Sequence, residues 1–157
     1  MKLRIGRSFV GTAIAAGVAL ALSGCDSSPP PAAAVAPAAN ITVDQLVGKW
    51  GLASYHVDAD RARTEKAAAA QCNKPYVIAK GENGGVMMYL ADETKPSELV
   101  VKPSADGRTY IGPAGPAGDQ LDREVVSAND RLFVTKWVDP DVAGRYGTMV
   151  YARCGAK

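Results

Sequence analysis

The sequence predicts a mainly β protein: one eight-stranded antiparallel up-and-down β-barrel with a single α-helix between its first and second strands. Three observations lead there. Turn signals recur at Glu82-Asn83-Gly84-Gly85, Ala105-Asp106-Gly107 and Ala128-Asn129-Asp130, and an Asn-Gly or Asp-Gly step between short apolar runs is the strongest local hairpin signal. The runs on either side have strand length, and with the Trp50 run they number eight, joined mostly as adjacent hairpins. A meander of about that number closes on itself and removes its exposed edges. Only one segment past residue 40 has the composition of a substantial helix.

The folded domain is placed at residues 41–157, roughly 115 residues, enough for one compact core. Thr42 or Asp44 can cap a short helical turn through Gln45, Leu46 and Val47. Gly48-Lys49-Trp50-Gly51-Leu52 opens the first strand, which continues to Val57. The two-residue period puts Trp50, Leu52 and Ser54 on one face and Lys49, Ala53 and Tyr55 on the other. Trp50 is read as a plug in the barrel floor, because large aromatics mostly bury.

Asp58 to Gln71 (DADRARTEKAAAAQ) is the one helix, alanine-rich and without Gly or Pro. Asp58 or Asp60 supplies its cap, Cys72-Asn73-Lys74-Pro75 ends it, and its Ala67–Ala70 face is small enough to lie close against a sheet. Strands follow at Tyr76 to Lys80, Val86 to Ala91, Ser97 to Lys102, Arg108 to Ile111, Leu121 to Ser127, Arg131 to Val138 and Tyr146 to Cys154. Gly112 to Gly118 (GPAGPAG) is expected to be a mobile connection between the fifth and sixth strands.

Upstream of the domain the chain reads as an address. Lys2, Arg4 and Arg7 form a positive n-region, and Phe9 to Leu22 is an uncharged apolar run. As a helix this run would span only about 21 Å, short of the ~30 Å hydrocarbon core. Leu22-Ser23-Gly24-Cys25 resembles the lipobox of bacterial lipoproteins. The resemblance implies a signal peptide over 1–24, cleavage before Cys25, and acyl chains of the palmitate type on Cys25 that tie the protein to membrane lipid. Two or three chains hold nearly permanently, whereas one binds only marginally. It also implies a place in the cell envelope, facing the periplasm. Asp26 resembles the enteric inner-membrane retention signal, but other lineages do not all obey it, so inner and outer membranes both stay open.

Residues 25–40 form the lipidated Cys and a Pro/Ala-rich tether. Ser27 to Asn40 carries no charge, and at ~3.1 Å per residue it reaches roughly 45 Å. Removing Lys2, Arg4 and Arg7 lowers the basic count from 18 to 15, against 16 acidic residues, so the formal balance moves from +2 to −1. Nothing in that balance offers a footprint for nucleic acid.

With Cys25 given to lipid, Cys72 and Cys154 are the two remaining cysteines, and an oxidising compartment pairs them as a disulfide. In a closed barrel the first and last strands are neighbours, which makes that bridge geometrically reasonable. Leu46-Val47-Gly48-Lys49-Trp50 resembles the Gly-X-Trp opening of lipocalins. That resemblance implies an Arg from the last strand across the Trp, and Arg153 fills the role, giving a Trp50–Arg153 floor pair. The same segment resembles the Leu-x-Gly-x-Trp start of bacterial metalloprotease inhibitors, also small eight-stranded barrels. Two departures from that inhibitor pattern are the Ala-rich helix and a lipidated, tethered N-terminus.

A search for catalytic machinery finds little. His56 is the only histidine, and its strand position reads as surface or barrel rim. The Gly112–Gly118 stretch does not lead from a buried strand into a helix, as a phosphate loop would. One His and scattered carboxylates make no metal cluster, and the Asp58-Ala59-Asp60 pair lacks partners at calcium-loop spacing. No enzyme activity and no cofactor is expected. The expected function is recognition of another envelope protein, in the manner of a protease inhibitor; the alternative is a lipocalin-like carrier of a small hydrophobic ligand. Trp50, Leu52, Met88, Leu90, Phe133, Trp137 and Met149 are bulky, and an eight-stranded barrel has little room beyond its own side chains. A filled barrel without a ligand-sized cavity is the expectation.

Cys25→Ser is expected to abolish acylation and to leave the protein either soluble in the periplasm or as uncut precursor. Fractionation with anti-protein blotting checks this, and a processed Cys25→Ser chain still in the membrane pellet would refute it.

Overall fold

The computed structural model describes residues 40–155. The expected signal peptide, Cys25 and the expected tether up to residue 39 lie outside the described residues. Thr42 opens the fold as the N-cap of α1 (Val43–Leu46). Its hydroxyl accepts the Gln45 N–H at 3.3 Å while Gln45 Oε1 accepts the Thr42 N–H at 3.0 Å, a reciprocal capping box. Strand β1 (Gly48–Tyr55) follows. Next comes a 3₁₀ turn at Asp58–Asp60, then α2 (Arg61–Ala70) and a second 3₁₀ turn at Gln71–Asn73. The helical run thus covers the expected stretch, but neither Asp58 nor Asp60 caps it through a side chain. Asp60 instead pairs with Arg63 at 2.9 Å, because the 3₁₀ turn already leads the backbone into the helix.

The remaining elements are β2 (Tyr76–Lys80), β3 (Val86–Met88), β4 (Ser97–Pro103), β5 (Thr109–Gly112), β6 (Arg123–Ala128), β7 (Leu132–Trp137), α3 (Pro140–Tyr146) and β8 (Thr148–Arg153). The eight strands pair antiparallel in sequence order, and β8 returns to β1 to close the barrel. All eight expected strands are present. Two details differ. Strand β3 stops at Met88 rather than Ala91, and Asp92, at φ 63°, turns the chain after it. The β7–β8 connection is helical up to Tyr146, so α2 does not stand alone. Asp139 Oδ1 accepts the Asp141 and Val142 N–H groups at 2.8 and 2.9 Å, and Pro140 occupies the first turn, a start signal that a short helix makes easy to overlook.

The β1 alternation holds. Trp50 and Leu52 belong to the barrel interior, while Ala53 and Tyr55 pack with Ala68, Val134 and Val150 in a second cluster under α2. Only Ala68 of the four consecutive alanines is buried, with Thr64 one turn earlier; Ala67, Ala69 and Ala70 face solvent. The close approach is made possible by Gly51, where an added Cβ would lie 1.9 Å from the Ala68 carbonyl oxygen. Past the helix, Cys72 bonds Cys154 with 5.5 Å between Cα atoms. The bridge spans 82 residues of chain and is worth about 4.5 kcal/mol on the loop-entropy argument.

The Gly112–Gly118 stretch is pinned rather than loosely strung. Lys102 Nζ donates to the Pro113 and Pro116 carbonyls at 3.0 and 2.9 Å and pairs with Asp122 Oδ1 at 2.5 Å. Asp122 Oδ2 accepts the Gly118 and Asp119 N–H groups at 2.9 and 3.1 Å. Prolines leave carbonyls without matching N–H groups, and the buried lysine satisfies them. Among the described residues no helix is long and apolar enough to cross a membrane.

Gly51→Val forces α2 off the sheet, and is expected to destabilise by roughly 3 kcal/mol, the upper part of the usual overpacking range. Denaturant unfolding measures it; a change below about 0.5 kcal/mol, the scale of an ordinary surface substitution, would contradict the packing described.

Candidate functional site

The two ends of the barrel differ in chemistry. At one end Trp50 lies opposite Arg153 in the β1–β8 register, and the guanidinium sits 4.1 Å from the indole centroid. Trp50 Nε1 donates to the Leu46 carbonyl at 2.8 Å. Arg153 donates to the carbonyls of Gln45, Val47 and Asp130, satisfying the end of α1 as well as stacking on the indole. Gly48 makes room for this, since a Cβ there would stand 2.8 Å from Arg153 Nη1. The floor pair drawn from the Gly-X-Trp resemblance is present and closes this end.

Above the floor runs an aromatic column. The Trp50 and Phe133 rings meet edge to face at 4.7 Å, and Phe133 stacks nearly parallel on Tyr151 at 4.1 Å. Ile78, Val86, Met88, Leu99 and Ile111 surround the column and are fully buried. This half is as full as the sequence suggests, although Tyr151 was not among the bulky residues named for it.

The other half is not. Leu52, Leu90 and Met149 are only half-buried and line a cavity of about 370 Å³ at the mouth, together with Tyr76, Tyr89, Trp137 and Tyr146. That corrects the expectation of a barrel with no ligand-sized space. Arg123 stands in the wall of this cavity, where the rest of the barrel interior is apolar. Arg123 is 2% exposed. It donates from Nη1 to the Tyr151 hydroxyl at 3.2 Å and from Nη2 to the Tyr89 carbonyl at 2.6 Å, and it lies 4.2 Å from the Trp137 ring. The reading of the sequence missed it. The available signal was Arg123 sharing a strand face with Val125 by the two-residue period, a charge on an inward face.

Tyrosines line the sides. Tyr76 faces Tyr89 at 5.9 Å and Tyr151 at 5.7 Å, and its hydroxyl accepts the Tyr89 N–H at 2.9 Å. Burial first, then the neighbouring Tyr151, push the Tyr76 phenol up to about 12, against a smaller opposing pull from the Tyr89 hydrogen bond and Arg123. Across the rim Asp92 is held by Arg145 at 2.6 Å and by the Tyr146 hydroxyl at 2.5 Å. A lateral groove of about 420 Å³ shares Leu52, Tyr76 and Tyr89 with the mouth and continues to Val77 and Lys74.

A larger hollow of about 680 Å³ lies beside the end of β1 and α3. Tyr55 and His56 are the only ring side chains of its lining, and His56 Nε2 is engaged with the Gly144 carbonyl at 3.1 Å. Among the described residues no cluster of three or more His, Cys, Asp or Glu could hold a metal ion. The candidate site is the open mouth of the barrel, opposite the Trp50–Arg153 end. The chain matches no protein-family model, no curated protein and no solved structure.

Tyr76 gives the site an alkaline signature. Its neutral form is favoured in the fold, so its contribution is complete below about pH 10, the unfolded value, and is lost as pH rises towards about 12. The loss approaches something on the order of 2 kcal/mol at the upper limit. Tyr76→Phe is expected to flatten that part of the stability curve between pH 10 and 12, measured by urea unfolding; an unaltered slope would contradict the burial.

Proposed function

We propose that the chain is a lipid-anchored envelope protein whose barrel binds a small amphipathic molecule in its open mouth. One observation carries the reading: a cavity of about 370 Å³ walled by aromatic and aliphatic side chains, with a buried guanidinium at its base. Apolar walls with a few convergent polar groups are the usual make-up of small-molecule sites of ~300–1,000 Å³. The sealed floor and the column above it make the mouth a pocket rather than a channel. The lipobox resemblance at Cys25 and the tether to Asn40 support the anchoring half of the proposal, with the barrel free to work some distance from the bilayer. The choice of membrane is left where Asp26 leaves it.

A second reading, recognition of an envelope protein or protease, draws on the lateral groove. Val77 and Tyr89 line it and are 53% and 40% exposed. Adjacent exposed apolar side chains mark surfaces that partners cover.

Protein purified under native conditions from its own envelope and then denatured is expected to release a small molecule, in near-stoichiometric amount, detectable by mass spectrometry. An empty extract, together with a single protein crosslinked through a photoreactive residue at position 77, would move the function to the second reading.

A further inference from the structure

We propose that the molecule held in the mouth carries one carboxylate on a short apolar body, and that Arg123 Nε and Trp137 Nε1 receive that carboxylate. The proposal rests on the small-molecule reading of the mouth. Two side chains of its wall each keep a donor without a partner. Arg123 commits Nη1 and Nη2 to Tyr151 and Tyr89, yet its buried Nε has no hydrogen-bond partner. Trp137 is 7% exposed and its buried Nε1 has none either. The two residues face each other in the β6–β7 register, with the guanidinium 4.2 Å from the indole ring, so both free donors belong to one cluster. Buried donors in folded proteins are almost always satisfied, because leaving one unmade forfeits its hydration for nothing.

The charge points the same way. Among the described residues no carboxylate lies within ion-pair distance of Arg123. Asp92 on the rim is occupied by Arg145 and Tyr146, and Glu93 on the same rim is exposed. A buried cation without a counter-charge is expensive. A carboxylate brings both the missing negative charge and two acceptor oxygens for two donors. An alcohol or amide brings an acceptor without the charge, while a phosphate brings more charge and more oxygens than two donors match. At about 370 Å³ the cavity is near the small end of the ~300–1,000 Å³ range. That suits a single short chain or ring along Leu52, Leu90 and Met149 rather than a diacyl lipid.

The test titrates the full chain carrying Cys25→Ser, so that no acyl chain competes, with octanoate and with 1-octanol. Calorimetry and tryptophan fluorescence read the binding. Octanoate is expected to bind about tenfold or more tighter than octanol, the size of one charge-assisted hydrogen bond. Trp137→Phe keeps an aromatic ring, loses the donor, and is expected to cut that preference several-fold. Arg123→Met is expected to abolish the preference while leaving the melting temperature level or higher, since an unpaired buried charge is removed. Equal binding of octanol and octanoate would overturn the carboxylate and leave the pocket standing. Binding of neither at millimolar concentration would overturn both. An undiminished preference in Trp137→Phe, with a collapsed melting temperature in Arg123→Met, would make Arg123 a structural residue and defeat the proposal.

Discussion

Arg153 stacked on Trp50 fixes which end of this barrel is closed, and the rest of the architecture follows from that polarity. The guanidinium reaches back to α1 and across to Asp130 while lying on the indole. Its planar fork can do this because it makes hydrogen bonds in plane and stacks out of plane at once, which a lysine cannot. With the floor sealed, Phe133 and Tyr151 build upward from a fixed base, and the barrel has one place left for incomplete packing. The connections at that other end are the longer ones: β1 to β2 through α2, β3 to β4, β5 to β6, and β7 to β8 through α3. Interior and site are two ends of one column.

Much of the fold could be read from residues with only one sensible use. Asn83-Gly84 and Asp106-Gly107 mark tight turns with a mechanism, and alternation along β1 assigned both faces correctly, including the outer one now known to lie beneath α2. Cys72 and Cys154 had no better partner than each other, and they bond. What escaped notice was set by tertiary context. Whether Gly112–Gly118 is loose or pinned depends on Lys102 and Asp122, which are 10 and more residues away or beyond a turn and meet only when β4 and β6 flank β5. The site was legible in halves. Trp50 announced the floor, whereas the mouth depends on Arg123, whose type suggests a surface and whose position alone puts it inside. Bulk was also misleading: Leu52, Leu90 and Met149 are large, but they stand round a space instead of filling it.

Arg123 sets fold against site. A core selected for stability alone would place an aliphatic residue there, because a buried charge must recover its lost hydration from neighbours. The neighbours provide a phenol, a carbonyl and an indole face, which is partial repayment. The disulfide and the packing of α2 lie on the β1–β8 side, away from that charge.

That distribution divides the barrel mechanically. Strands β6, β7, β8 and β1 form a long-laddered shell stapled by Cys72–Cys154 and backed by α2. Strands β3, β4 and β5 form a panel with sound internal ladders. Its strand ladders to the neighbours are short: Ala79–Lys80 with Val86–Met87 on one side and Tyr110–Ile111 with Arg123–Glu124 on the other. Local opening follows the fewest hydrogen bonds and the fewest covalent ties, and these two seams have the shortest ladders of the barrel. An opening of the barrel would start at those seams, and the Arg123 hydrogen bond to the Tyr89 carbonyl ties β6 across the interior to the chain just past β3.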